Sequence, residues 1–212
     1  RLRHAATDAL LTRRDTVIVA SVSCIYGIGS PSDYSSLAVR VKKGERRVRD
    51  KLIRQLTDIQ YHRNDIDFSR GNFRVRGDVI DIFPAGSETA VRLEFFGDEI
   101  ERVTSINPLT GEIISEPSEL TVFPSSHFVT PEEKLRGVLG DIRSELDERL
   151  AYFEKHNKYL EAQRLGQRTK FDLEMLEETG FVKGIENYSR YLTDREPGAQ
   201  PVTWLAFFPD DL

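Results

Sequence analysis

Two short stretches of this chain alternate ionic side chains with apolar bulk at a spacing that an extended backbone would sort into faces. In Phe73-Arg74-Val75-Arg76 and in Val91-Arg92-Leu93-Glu94-Phe95 every second residue is charged. A strand sends the charged set to one side and the apolar set to the other. Arginine gives such a face specific chemistry, because its planar fork pairs with carboxylates bidentately and it is enriched where interfaces concentrate their binding energy. The same pattern also serves an ordinary half-exposed antiparallel sheet, whose wet side needs only Arg and Glu partners across strands. The residues alone leave both readings open. The polar run Arg63-Asn64-Asp65, with Asp67 and Arg70, leads directly into these strands. Arg76-Gly77-Asp78 spells a cell-adhesion tripeptide, but Gly-Asp between two strand patterns is a hairpin signal and is read as one.

Reaction chemistry is not spelled out anywhere. No glycine-rich loop carries the Lys and hydroxyl residue that cradle phosphates, and no G-x-S-x-G nucleophile motif occurs. Asp210-Asp211 follows a proline rather than an apolar strand, so it is read as surface acid rather than a magnesium site. His4, His62, His127 and His156 lie far apart and Cys24 is the single cysteine, which argues against zinc. The chain by itself is expected to be no enzyme and to hold no cofactor or metal. Lys42, Lys43, Arg46, Arg47, Arg49, Lys51 and Arg54 crowd one span, read as a helix. Glu45 and Asp50 interrupt them and no aromatic platform is interleaved, so a solvated helix face is favoured over a stand-alone nucleic-acid-binding domain.

The elements that must position these residues can be traced by periodicity. Leu2 to Arg14 has helical spacing, and the β-branched run Thr16 to Ser21 reads as a strand covered on both faces, the pairing expected of a parallel α/β sheet. Val48, Leu52, Ile53, Leu56 and Ile59 make an amphipathic helix. Strand signals then dominate: Asn72 to Arg76, Val79 to Phe83, Ala90 to Phe96, Ile100 to Ile106 and Leu120 to Phe123, with turn chemistry at Gly77-Asp78, Gly97-Asp98 and Asn107 to Gly111. Thr130-Pro131-Glu132-Glu133 reads as a capping box opening a long helix whose stripe runs from Leu135 to Phe153. After a break near His156-Asn157 a second helix runs to Glu178, ended by Gly180. The expected class is α+β, divided into residues 1–31, 32–130 and 131–212.

With 212 residues and 39% hydrophobic content the chain can build real cores, while a net charge of −5 gives no global field toward nucleic acid. Cys24 sits in an apolar stretch and is expected to be a small buried hydrophobe in a reducing compartment. The longest apolar run, Val17 to Val22, is too short to cross a bilayer. A cytoplasmic location follows as an expectation. Starting at Arg1 without methionine and stopping at Leu212, the chain is also expected to be a piece of something longer.

Longer strings are recognisable. Val19-Ala20-Ser21-Val22-Ser23-Cys24-Ile25-Tyr26-Gly27, Tyr61-His62-Arg63-Asn64-Asp65, Gly71 to Asp78, Arg92 to Glu99, Gln167 to Met175 and Gly184 to Arg190 resemble the UvrB family of bacterial nucleotide excision repair, over essentially the whole chain. The resemblance implies a UvrA-binding antiparallel domain inserted into part of a RecA-like helicase domain, followed by a helical subdomain. It implies that UvrA docks on Arg63, Arg74, Arg76, Asp78, Arg92 and Glu94, with Phe73 as an apolar contributor. It places Arg3, Arg168, Glu186 and Tyr188 near the DNA path; read as residues alone, these serve equally as a helix terminus and a buried polar network. ATP and magnesium, damaged DNA and UvrC belong to the full-length protein, and the UvrA-binding module of the transcription-repair coupling factor is the alternative membership.

Overall fold

The computed structural model describes residues 1–22 and 28–208. The chain enters through α1 (Leu2–Thr12) and α2 (Pro31–Ser36), the latter started by Ser30, whose hydroxyl accepts the Asp33 N–H with Pro31 at the first helical position. β1 (Val39–Lys42), α3 (Arg49–Asp58) and β2 (His62–Arg63) follow. Then come β3 (Asn72–Arg76), β4 (Val79–Ile82), β5 (Ala90–Phe96), β6 (Glu99–Ile106), β7 (Ile113–Ser115) and β8 (Glu119–Val122). A six-stranded sheet runs in the order β2-β3-β4-β5-β6-β7, antiparallel except for the short parallel β2–β3 edge. β1 pairs separately with β8, placing Val39 opposite Val122.

Sequence explains this meander well. The β3–β4 and β5–β6 turns each place a glycine, Gly77 and Gly97, at φ +60° in the first central position, a conformation a Cβ disfavours. Alternation then sorts the strands. Phe73, Ile80, Ile82, Val91, Leu93 and Val103 turn inward against Leu52, Leu56 and Ile59 at the α3 side, forming one continuous core with Val39, Val41 and Val122. Each large apolar side chain buried there contributes about 1.5–3 kcal/mol relative to exposure.

The last third of the chain is helical, as its spacing predicts. α4 (Glu132–Lys155) and α5 (Tyr159–Thr179) pack as a hairpin turned at Asn157, which takes φ 56°, and α6 (Ser189–Leu192) closes their core. Gly180 at φ 68° ends α5 in the left-handed cap its sequence position suggested. A third cluster joins Leu10, Ile28, Tyr34, Trp204 and Phe207, so that the turn Trp204–Phe207 packs on α1. The α+β class is therefore observed.

Several local expectations change. Thr16 to Ser21 is not a strand: it finds no ladder partner among the described residues, and Val17 and Val19 are 90% and 97% exposed. A β-branched run has the propensity for a strand but needs a neighbour to become one. The capping box does not form either, since α4 begins at Glu132 with Pro131 as its cap, ψ 141°, and the Pro131 carbonyl accepting the Leu135 N–H. The basic span is not one helix, because Lys42 ends β1 and only Arg49, Lys51 and Arg54 lie on α3. α2, β1, β2 and β7 were not anticipated; β1, β2 and β7 are four, two and three residues long, too short for a clear period. Cys24 and the Asp210-Asp211 pair lie outside the described residues.

Candidate functional site

The outward face of the six-stranded sheet is built from the residues the core rejects. β4 lies between β3 and β5, so the two charged strands are not neighbours, and register places Arg74, Asp81, Arg92 and Thr104 in one row across four strands. The next row is Arg76, Val79, Glu94 and Arg102. Asp81 is the residue sequence reasoning missed. Its carboxylate, 2% exposed, takes Arg74 Nε at 2.8 Å on Oδ2, and Arg92 Nε at 2.7 Å on Oδ1 with Nη2 at 3.1 Å on Oδ2. The signal was present: an acid in the centre of Val79-Ile80-Asp81-Ile82, an otherwise apolar strand, is costly unless paired. The Arg74 and Arg92 side chains are themselves mostly buried, and placing Asp81 between their two guanidiniums satisfies its acceptors. The hydrogen bonds it donates to Asp81 hold the Arg92 guanidinium above its ordinary pKa.

A ring completes the row. Phe68 packs with Phe83, Ala90 and Ile106 at one end of the face, and the Arg74 guanidinium lies 4.2 Å from its centroid. In the second row Arg102 reaches Glu116 at 2.9 Å and Glu94 at 3.8 Å. Arg102 is a further polar member of the face that strand alternation around Ile100 to Ile106 could have suggested, whereas Glu116, just past the end of β7, carries no such signal.

The remaining expected docking residues are placed less uniformly. Arg63 sits on the edge strand β2, paired in register with Phe73, and its guanidinium is engaged by Asp65 at 3.0 Å. Asp65 Oδ1 also accepts the Val75 N–H at 2.9 Å, and that bond, followed by Arg63, holds its carboxyl below the usual range. Asp78 occupies the β3–β4 turn and pairs with Arg49 at 3.3 Å. Phe73 is corrected: at 1% exposure it faces the core, opposite in direction to Arg74, and supports the strand from beneath rather than contributing to the charged surface.

Arg3 and Glu186 meet across a different feature, a cleft of about 720 Å³ between α1, the loop around Ser125–Phe128 and the segment Phe181–Glu186. Arg168 Nη2 lies 3.7 Å from where a Cβ on Gly184 would stand, and Gly184 lines the same cleft. Tyr188 turns the other way. Its hydroxyl donates to Asp172 Oδ2 at 2.7 Å, Arg168 Nε lies 3.7 Å from the same carboxylate, and burial, then this bond, pushes the phenol up to about 12.

Two of the histidines separated in sequence are stacked in space, His4 on His127 with centroids 3.9 Å apart. Around them Thr7 Oγ1 lies 3.2 Å from His127 Nε2, donates to the Arg3 carbonyl and accepts the Trp204 indole N–H at 3.0 Å. With its one proton committed to Arg3, that oxygen is left to accept from His127 Nε2–H. Tyr34 donates to Asp8 at 2.9 Å. Burial first, then nearby positive charge, lowers His4 to about 4, while burial, then His4 and Arg3, lowers His127 to about 3. Burial, opposed by the Tyr34 bond, raises Asp8 to about 6. Among the described residues no group of three or more His, Cys, Asp or Glu side chains converges to hold a metal.

Residues 39–128 match the family description of the UvrB interaction domain, and residues 133–194 match that of the UvrB third helical domain. The charged face lies within the first of these. The chain belongs to the UvrB family. It is 58% identical over 211 residues to the UvrABC system protein B of Chloroflexus aggregans and 58% identical over 212 residues to that of Geobacillus kaustophilus. The protein of the same name from Herpetosiphon aurantiacus is 55% identical. All of this chain is covered in each case, but only 30–32% of the relatives, so it spans about a third of their length. No helix among the described residues is long and apolar enough to cross a membrane.

Proposed function

We propose that these residues are the UvrA-docking part of a UvrABC-type nucleotide excision repair subunit, with the sheet face built on Arg74, Asp81 and Arg92 as the docking surface. The observation that carries it is the row itself: two partly buried guanidiniums, on side chains 15% and 26% exposed, converge on one buried carboxylate, leaving the row with a net positive charge and most of its N–H donors uncommitted. Such a surface suits an acidic partner surface that must engage quickly and later release, since partly solvated ion pairs steer association and weaken with salt. Arg76 and Glu94 extend the face, Arg63 and Asp78 flank it, and Phe73 is withdrawn from it.

In the same reading, Arg3, Arg168 and Glu186 contribute to a DNA path along the 720 Å³ cleft, and Tyr188 orders α5 through Asp172. ATP and magnesium do not fit the residues present, since the sequence has no phosphate-cradling loop and the described acids form no metal group. Those ligands, together with UvrC, are assigned to parts of the whole protein outside these residues, and the chain alone is expected to hydrolyse no ATP in the cytoplasm where the system would act. The coupling-factor alternative is less well supported, because the match extends through the third helical domain and the named relatives are all UvrABC system protein B. A stand-alone nucleic-acid domain is disfavoured by the dispersal of the basic span, whose Lys43, Arg47 and Arg49 are each engaged by an acid.

The test is capture of UvrA by the whole protein carrying Arg74→Glu with Arg76→Glu, at low and moderate salt. Loss of roughly 100-fold or more in affinity with an unchanged melting profile is expected. Capture at the unsubstituted level would falsify the docking assignment.

A further inference from the structure

We propose that Asp81 is a positioning residue for partner recognition: it holds the Arg74 and Arg92 forks at a fixed separation so that they receive one partner carboxylate group between them. The proposal rests on the docking reading above and deepens it. Asp81 itself is too buried to meet a partner, at 2% exposure, yet it contacts both guanidiniums through three hydrogen bonds of 2.7 to 3.1 Å. Arg74 spends only Nε on it, and Arg92 spends Nε and Nη2. A guanidinium has five N–H donors in a rigid fork, so the bonds to Asp81 fix each plane while leaving outward donors for a second carboxylate. Phe68 fixes Arg74 from the other side, with the guanidinium 4.2 Å from its ring centroid. Preorganisation of this kind removes the side-chain ordering cost that a free arginine would meet on binding.

The electrostatic and the positioning roles of Asp81 make opposite predictions, which gives the test its force. Neutralising an acid within a cationic row makes the row more positive, and by charge alone an acidic partner would then bind faster and tighter. If Asp81 acts by position, Asp81→Asn keeps or raises the association rate but speeds dissociation of UvrA about 10-fold, and the affinity falls. The measurement is association and dissociation of UvrA on the whole protein at two salt concentrations, with melting curves as the fold control. Phe68→Leu, which keeps apolar cover over Phe83 and Ile106 but removes the ring under Arg74, is expected to speed dissociation about 3-fold. It decides the matter if Asp81→Asn does not fold. Unchanged or slower dissociation in the folded Asp81→Asn protein, or in Phe68→Leu where that variant must serve alone, overturns the positioning role. The docking reading is tested separately by the Arg74→Glu, Arg76→Glu pair, whose unimpaired binding would remove the surface itself whatever Asp81 does.

Discussion

Acidification should loosen the junction where α1 meets the loop after β8, and the size of the effect can be worked from the stacked histidines. Both imidazoles have folded-state pKa values, about 4 for His4 and about 3 for His127, below the ordinary 6.5. The unfolded chain therefore binds more protons below pH 6.5, and stability falls as pH drops from there toward the folded values. Asp8 acts in reverse: raised from 3.8 to about 6, it keeps a proton in the fold that the unfolded chain has lost, and so adds stability as pH falls through 6. Between pH 7.5 and pH 5 each histidine costs about 2 kcal/mol and Asp8 offsets about 1, leaving a net loss of about 3 kcal/mol. With a denaturant slope of about 2–3 kcal/mol/M for a chain of this size, the urea midpoint should drop by about 1 M. Trp204 reports directly, because it is the only tryptophan and its indole donates into the same network through Thr7. In His127→Gln the loss on acidification should shrink by about 2 kcal/mol. A midpoint that stays level to pH 5, or an undiminished pH dependence in the variant, would refute the reasoning.

Three further outcomes follow from packing. Thr104 is fully buried on the charged face and its hydroxyl finds no hydrogen-bond partner among the described residues, so Thr104→Val should raise stability by about 1 kcal/mol in chemical denaturation. Phe73→Ala should cost about 3–5 kcal/mol by emptying the core beneath the face, a loss read as a lower melting temperature before any effect on UvrA capture at low temperature. Gly29→Ala would bring a Cβ to 2.4 Å from the His127 carbonyl oxygen, the same oxygen that accepts the Gly29 N–H at 3.1 Å, so hydrogen exchange of the Gly29 amide should accelerate as the two segments part.

Most of the sheet was legible because its signals are local. Period-two alternation in β3 and β5 and Gly-Asp at two turns specify strand faces and hairpins without reference to the rest of the chain. The identity of spatial neighbours was not local. Nothing in Arg74 or Arg92 says that β4 lies between their strands, so the sharing of Asp81 emerged only from the register. Phe73 was assigned two incompatible duties, core and surface, and alternation already favoured the core. The stacking of His4 on His127 joins α1 to the loop after β8, residues far apart in sequence, which no periodicity reports. The run Thr16 to Ser21 shows the converse limit, since strand propensity is expressed only where a partner strand is supplied.

The pairing of β1 with β8 bears on how the molecule assembles. Val39 and Val122 face each other across a single ladder, so once the intervening sheet has formed, its two feet stand about one strand spacing, ~4.8 Å, apart. To α1 and the helical hairpin, that long excursion then behaves as a tight turn. Their docking across it meets almost none of the loop-closure penalty that so many residues would otherwise impose.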